Sequence, residues 1–206
     1  MTHSVYEELK GWQTGLGALL GFIALIVGAL WNFHLNRKRD AALREEEKVS
    51  IAVAIYGEIL LLRIEAAYLA RSVANVHEAI GTTPDPPIKF DHHFVDAHAL
   101  SEPLIYRALA PQLGLLPPDL VFGITEFHKN LQETRAWLPR LIADPDRGYG
   151  YSVACVLVPA RDAVRDVIPC LRKIERMAGI REGAEEPDLG EAEAAIAIEE
   201  ETHGSY

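Results

Sequence analysis

The sequence has few cysteines. Cys155 and Cys170 are the only two, and fifteen residues of continuous helix would separate them by about 22 Å, which is too far for a disulfide bond. Two sparse thiols are typical of a reducing compartment rather than of a secreted domain held by disulfides. We therefore expect both cysteines to be small, buried, unpaired residues.

Motifs for nucleotide binding and nucleophilic catalysis are absent from the sequence. It contains no GxxxxGK[ST] phosphate loop, no GxSxG nucleophile motif and no paired CxxC motifs. The glycines beyond residue 33 are expected to end helices rather than to bind phosphate. The sequence gives no positive support for an enzyme and predicts no cofactor. The alternative is that the chain binds a divalent metal ion.

The acidic residues are concentrated at one end of the chain. Residues 181–206 carry nine acidic residues against Arg181 alone, which accounts for −8 of the formal net charge of −10. The other 180 residues hold 21 acidic and 19 basic residues, so we expect no nucleic-acid partner. With no aromatic residue before Tyr206, residues 181–206 predict a disordered acidic tail, in which Glu191 to Glu201 could form a transient helix.

One stretch lacks charge altogether. Residues 11–33, GWQTGLGALLGFIALIVGALWNF, contain no charged side chain, and as a helix they would extend about 34 Å, enough to cross the apolar core of a bilayer. Trp12 at one end and Trp31 with Phe33 at the other lie where aromatic residues prefer the membrane interface. The pattern predicts a transmembrane helix over residues 11–33.

Charged residues beside this span predict its orientation. Arg37, Lys38 and Arg39 follow it, whereas only Lys10 precedes it beside two glutamates. The positive-inside rule then places residues 1–10 outside and the rest of the chain in the cytoplasm. The cluster could also bind anionic lipid headgroups. A signal peptide cleaved near Val27-Gly28-Ala29 is the rival, but the N-terminal ten residues lack the expected positive charge.

Small residues fall on one face of the predicted span, at Gly17, Gly21, Ala24 and Gly28. Such a face lets two helices approach closely in lipid, where packing drives association. The alternative is that glycine is simply frequent in membrane helices.

The cytoplasmic part is predicted to be all-α, with the membrane helix continuing into a helical bundle. Residues 34–80 form a juxtamembrane stalk and the first bundle helix, 81–100 a loop with a short strand at best, and 101–180 the remaining helices. We expect Ser101 to cap a helix that ends near Gly114, Pro139 to kink the next, and Pro159 and Pro169 to interrupt the last. A turn is predicted at residues 144–148.

Apolar residues repeat along the first bundle helix in steps of three and four, at Ile59, Leu62, Ala66, Leu69, Val73, Val76 and Ile80. This spacing predicts a packed helical seam. Further apolar residues at Ile55, Leu60, Leu61 and Ile64 widen the seam, which favours the core of a bundle over a two-stranded coiled coil.

Metal-ligand residue types gather between Asp91 and His98. His92, His93, Asp96 and His98 offer three imidazoles and a carboxylate, the donors that zinc, iron or manganese prefer. The stretch lacks the fixed spacing of an HExxH helix, and polar loops often collect such residues. A metal site here is therefore the alternative interpretation.

Three stretches of the sequence carry a family likeness, namely WNFHLNRKRD after the apolar span, VAIYGEILLLR, and IYRALAPQLGLLPPDLVFGITEFH. They resemble a loose group of uncharacterised bacterial single-pass inner-membrane proteins with a helical cytoplasmic domain. The resemblance covers most of residues 11–140 and not the acidic tail. It implies a bacterial inner membrane and a helical cytoplasmic part, and it brings no activity or catalytic residue.

Two functions remain open from the sequence. One is a membrane-anchored protein that acts by protein–protein interaction or scaffolding, through an unknown protein partner or as a parallel homo-oligomer. The other is a metal-dependent enzyme that uses residues 91–98. The oligomer is suggested because 42 residues, six heptads, separate Gly17 from Ile59, so a supercoiled helix would place the small-residue face and the seam on one side.

Reporter fusions after Asp40 test the predicted orientation. We expect a fluorescent protein fused there to fluoresce and alkaline phosphatase fused there to be inactive, because the one-sided cationic flank keeps this segment in the cytoplasm. Phosphatase activity combined with silent fluorescence would reverse the orientation.

Overall fold

The structure is a computed structural model that describes residues 2–82, 88–142, 151–181 and 183–203. Every regular element in these ranges is helical. The α-helices are α1 (Thr2–Thr82), α2 (His92–Ala97), α3 (Leu104–Leu109), α4 (Pro118–Trp137), α5 (Ala154–Asp166), α6 (Ile168–Ala178) and α7 (Gly190–His203). Short 3-10 helices at Ala110–Leu115 and Leu138–Leu141 follow α3 and α4.

The chain divides into two units, Met1–Glu47 and Lys48–Tyr206. The first unit contains only the beginning of α1. Its large apolar side chains, such as Leu20, Leu25 and Trp31, are exposed along the helix. By length and composition, α1 is the one helix in the described residues that could cross a membrane. The predicted long, apolar N-terminal helix is therefore confirmed.

The second unit has one hydrophobic core, which forms around the later part of α1. Six residues of the predicted seam are buried there: Ile59, Leu62, Ala66, Leu69, Val73 and Val76. The large core residues of the other helices include Phe127 of α4, Leu157 of α5 and Leu171 of α6. From Ile59 to Val76 the seam is thus covered by the chain's own helices, whereas Ile80, its last predicted residue, is exposed. The seam does not extend to Leu61 and Ile64, which are exposed, so the predicted widening of the seam is wrong at these two positions.

Prolines set the ends of several helices, as the sequence predicts. α4 begins at Pro118 and changes to a 3-10 helix at Leu138, beside Pro139, whose nitrogen cannot donate a hydrogen bond. The predicted interruption at Pro159 is wrong, because α5 continues through this residue. The break between α5 and α6 falls at Val167, two residues before Pro169, as predicted. The turn predicted at residues 144–148 lies outside the described residues.

The predicted start of the helix at Ser101 is wrong. α3 begins at Leu104, its N-cap residue Pro103 offers no side-chain hydrogen bond, and the helix gives way to 3-10 geometry at Ala110. The hydroxyl of Ser101 instead donates to Glu65 of α1, at 2.7 Å. A partner distant in sequence therefore replaces the local cap that the pattern Ser-Glu-Pro indicates.

The predicted loop at 81–100 also needs correction, because it contains helix α2 rather than a short strand. Asp91 is the N-cap, and its carboxylate accepts a hydrogen bond from the backbone N–H of Phe94 at 2.7 Å. Phe94 is buried on the core side of α2. The N-cap and the buried ring of Phe94 both stabilise α2.

The prediction of a disordered tail is wrong for residues 190–203, which form α7, and the possible transient helix at Glu191 to Glu201 lies within it. Leu189, Ala192, Ala195 and Ile196 are buried in the core. α7 presents small residues to the core, so the helix packs closely although it buries little apolar area. Its glutamates also pair with cations on other helices. Both contributions offset the chain entropy that argues for disorder.

Replacement of two alanines of α7, each by leucine in a separate variant, tests whether α7 packs on the core. We expect Ala192→Leu, at a fully buried position, to destabilise the protein by about 1–3 kcal/mol through overpacking. The matched variant Ala197→Leu, at an exposed position of the same helix, should have almost no effect. Urea unfolding and limited proteolysis of α7 measure the difference. Equal stability and equal proteolysis of both variants would show that α7 is not packed.

Candidate functional site

The predicted metal-ligand residues lie on and beside α2, and the structure does not bring them together. His92, His93 and Asp96 are exposed. His98 is stacked between two rings, 4.2 Å from Phe94 and 5.5 Å from Tyr68 by ring centroids. Its Nδ1 lies 2.8 Å from the carbonyl oxygen of Phe94.

Within the described part of the chain, no three His, Cys, Asp or Glu side chains converge as a metal site would require. Asp91 and His98 both serve α2 itself, one as its N-cap and the other at its C-terminal end. The geometry of the described residues therefore lends no support to the metal alternative.

The residues predicted for membrane packing and for topology are all exposed on α1. A Cβ atom added to Gly17, Gly21 or Gly28 would meet no atom within 4 Å, and Ala24 is exposed beside them. Arg37, Lys38 and Arg39 are exposed as well, with the Arg37 guanidinium 6.0 Å from the ring centroid of Phe33. This small-residue face and this cationic cluster are open to a partner or to lipid.

Two glutamates of α1 hold the segment that leads into α3. Glu58 is only 8% exposed and accepts hydrogen bonds from the backbone N–H groups of Ile105 and Tyr106, at 2.6 and 2.8 Å. Glu65 accepts from the backbone N–H of Ser101 at 2.8 Å, as well as from its hydroxyl. Glu58 thus caps the first turn of α3 from another helix.

Glu175 of α6 is the centre of a second polar network. Its buried carboxylate accepts hydrogen bonds from the Tyr56 hydroxyl at 2.9 Å, from the backbone N–H of Ala184 at 2.9 Å and from Arg172 at 3.0 Å. Burial acts to raise the pKa of Glu175, but these three donors outweigh burial and hold the pKa below its usual range. Burial and the bond to Glu175 raise the pKa of Tyr56.

Among the described residues, Arg63 is the most buried charged residue, at 2% exposure. It donates to the carbonyl oxygens of Val164 and Glu185, both at 2.8 Å, and burial lowers its pKa. Arg63 and Glu175 together fasten residues 184–185 to α1, α5 and α6. A groove of about 350 Å³ lies here, lined by Leu60, Arg63, Ile64 and residues 184–187.

Cations on α1 and α5 hold α7 through its glutamates. Glu193 pairs with Arg165, and Glu191 lies 3.9 Å from Arg71. Glu199 is buried and accepts from the Ser152 hydroxyl at 2.5 Å, with His77 at 3.4 Å on its other oxygen. Several acidic side chains of this region therefore take part in intramolecular contacts.

His128 of α4 is buried with no hydrogen-bond partner for either ring nitrogen. It stacks on Tyr106 with ring centroids 3.8 Å apart and meets the edge of Phe127. Burial, with a smaller contribution from Arg135, lowers the pKa of His128 to about 4. The ring is therefore neutral at pH 7, and its protonation opposes folding.

An apolar surface of the second unit lies open on the outer side of α1. Leu61, Ile64 and Tyr68 are 57%, 61% and 60% exposed, and Gly57 lies one turn before them with open space at its Cβ position. We call the residues Gly57, Leu61, Ile64 and Tyr68 the outer stripe. The sequence pattern does not single it out, since apolar residues surround it on the helix and only tertiary packing separates the covered from the open face.

The burial of His128 predicts a specific pH dependence. The pKa of His128 in the folded protein lies below the unfolded value of about 6.5. Protonation of His128 therefore has no effect on stability above pH 6.5, and stability is lost as the pH falls towards 4. We expect the free energy of unfolding, measured with urea, to fall by about 2–3 kcal/mol less in His128→Phe than in the wild type between pH 7 and 4.5. Tyr106→Phe, which keeps the stacked ring, should retain the wild-type pH dependence. An unchanged slope in His128→Phe would mean that the ring is not buried as a neutral group.

Known proteins add nothing to this geometry. No protein-family model, no curated protein and no solved structure matches the chain. The resemblance to a loose group of bacterial membrane proteins therefore remains an expectation from the sequence.

Proposed function

We propose that the chain is a single-pass protein of a bacterial inner membrane that acts by protein–protein interaction or scaffolding at the cytoplasmic face. The observation that carries the proposal is the apolar segment of α1 in the first unit, whose large side chains are exposed throughout. Such a segment would aggregate in water, whereas a bilayer offers it an apolar solvent. The Arg37 to Arg39 cluster supports an orientation with the second unit in the cytoplasm.

The second unit supports the interaction role. Its later helices cover one face of α1, which supports a bundle, and its clusters of polar side chains hold segments of the chain together. The outer stripe adds an open apolar surface of the kind through which proteins bind one another. A protein partner, including another copy of this chain, is therefore the expected ligand, alongside the lipid bilayer.

Membrane anchorage can be tested with charges placed inside the span. We expect the wild-type protein to remain in the membrane pellet after alkaline carbonate washing, and the double variant Leu20→Arg, Leu25→Arg to be lost from it. An arginine near the centre of a membrane helix costs about 2.5–3.5 kcal/mol.

The control is Leu43→Arg, which also replaces an exposed leucine of α1 but lies beyond the predicted span at 11–33. This variant should stay in the pellet. Release of the wild-type protein by carbonate, or equal retention of all three forms, would contradict the anchor.

A further inference from the structure

α7 is attached to the core by smaller apolar side chains than the helices beside it. α4 and α6 bury large residues, such as Phe127 and Leu171. α7 buries three apolar side chains, two of which are alanines: Ala192, Ala195 and Ile196. Because the free energy of burial scales with the apolar area removed from water, α7 gains less from packing than α4 or α6.

The packing of α7 near the end of α1 is also incomplete. A groove of about 500 Å³ lies there, lined by Ile80 and Thr82 of α1 and by Ala194 and Ile198 of α7. Ile80 is 44% exposed and Ile198 is 60% exposed. Side chains that line an open groove make fewer contacts than side chains in a filled core, which further weakens the attachment of α7.

Opposite charges attach α7 to α1 and α5. Residues 185–201 include eight acidic residues and no lysine or arginine. Arg165 of α5 pairs with Glu193, and Arg71 of α1 lies 3.9 Å from Glu191. The side chains of Arg71 and Arg165 are 45% and 57% exposed. Each of these attractions is therefore modest and is weakened further by salt.

A second attachment lies near the C-terminal end of α7. Glu199 accepts a hydrogen bond from the Ser152 hydroxyl and lies 3.4 Å from Nε2 of His77. Glu199 follows Glu191 by eight residues, which is about 12 Å along a helix. Since α7 is bound near both of its ends, the helix has no long free end from which to fray, and its contacts break together.

The segment just before α7 is attached more firmly. Arg63, which is buried, donates to the carbonyl oxygen of Glu185 at 2.8 Å. The buried carboxylate of Glu175 accepts a hydrogen bond from the backbone N–H of Ala184 at 2.9 Å. Salt screens buried charges much less than exposed ones. Residues 184–185 therefore stay in place under conditions that break the exposed contacts of α7.

We propose that α7 is a releasable strap. It opens from α1 and α5 as one helix, turns about residues 186–189 and closes again, while the rest of the second unit stays folded. In the closed state its carboxylates are bound by Arg71, Arg165 and His77, so a rise in ionic strength favours the open state. Opening uncovers the part of the core beneath α7. The proposal goes beyond the proposed function and does not depend on the membrane anchor, because it concerns the second unit alone.

Hydrogen–deuterium exchange of the full wild-type chain in detergent tests the strap. We expect the amides of α7 to exchange at least about tenfold faster than those of α4, because local opening needs less free energy than unfolding of the core. Raising sodium chloride from about 50 to about 500 mM should speed the exchange of α7 about threefold or more. α4, whose Ile124 and Leu131 are fully buried, is the control and should not respond to salt.

Charge variants separate release of the ion pairs from other effects of salt. The double variant Arg71→Gln, Arg165→Gln removes two cations that bind α7, so at low salt its α7 should exchange as fast as that of the wild type at high salt. Further salt should then have little effect. The matched control is Arg161→Gln, because Arg161 of α5 binds Asp162 on its own helix. This control should behave as the wild type does, and the exchange of α4 reports whether each variant is folded.

Four results would overturn the proposal. Exchange of α7 at the rate of α4 would show that α7 leaves the core only when the whole unit unfolds. Amides of α7 without protection at low salt would show that there is no closed state. Rates that rise steadily from residue 190 to residue 203 would indicate fraying of a chain end. An equal response to salt in the wild type and the double variant would show that Arg71 and Arg165 do not hold the strap.

Discussion

The folded part of the chain depends on the burial of one face of α1, from Ile51 to Val76. α4, α5, α6 and α7 all contribute residues to the core that covers this face. Apolar contact alone would allow these helices to slide along it. Arg63 fixes the position of α5 and residue 185, and Glu58 and Glu65 fix the start of α3 and the segment before it, because each binds backbone groups there. Buried charges with several hydrogen bonds cost free energy to desolvate, and they specify one arrangement over its neighbours.

Helices with strong local signals could be predicted from the sequence. The apolar span, the seam from Ile59 to Val76 and the start of α4 follow from composition, periodicity and the chemistry of proline, all of which act within a few residues. The errors lie where a distant residue decides the outcome. The sequence that begins at Ser101 is typical of an N-cap, but the hydroxyl of Ser101 binds Glu65 instead. No residue near Ser101 in the chain indicates this contact.

The acidic C-terminal region shows the same limit more clearly. Its composition is typical of disorder, since a helix of alanine and glutamate has little apolar area to bury. The structure compensates with fully buried Ala192 and with cations such as Arg165 that donate to its carboxylates. The outer stripe could not be predicted from the sequence either. Leu61 and Leu62 are adjacent and chemically identical, and only the position of the other helices leaves the first exposed and buries the second.

The long sequence separations of the polar contacts affect how the protein is made. Arg63 finds its acceptors 101 and 122 residues later in the chain, and Tyr56 finds Glu175 119 residues later. During synthesis the N-terminal apolar segment emerges first, while the seam of α1 must wait, uncovered, for α5, α6 and residue 185. At about 5–20 residues per second this wait lasts roughly 6–24 seconds. Throughout that interval the nascent chain presents an apolar helix to ribosome-associated chaperones, and loss of its last third would leave that helix permanently open to aggregation.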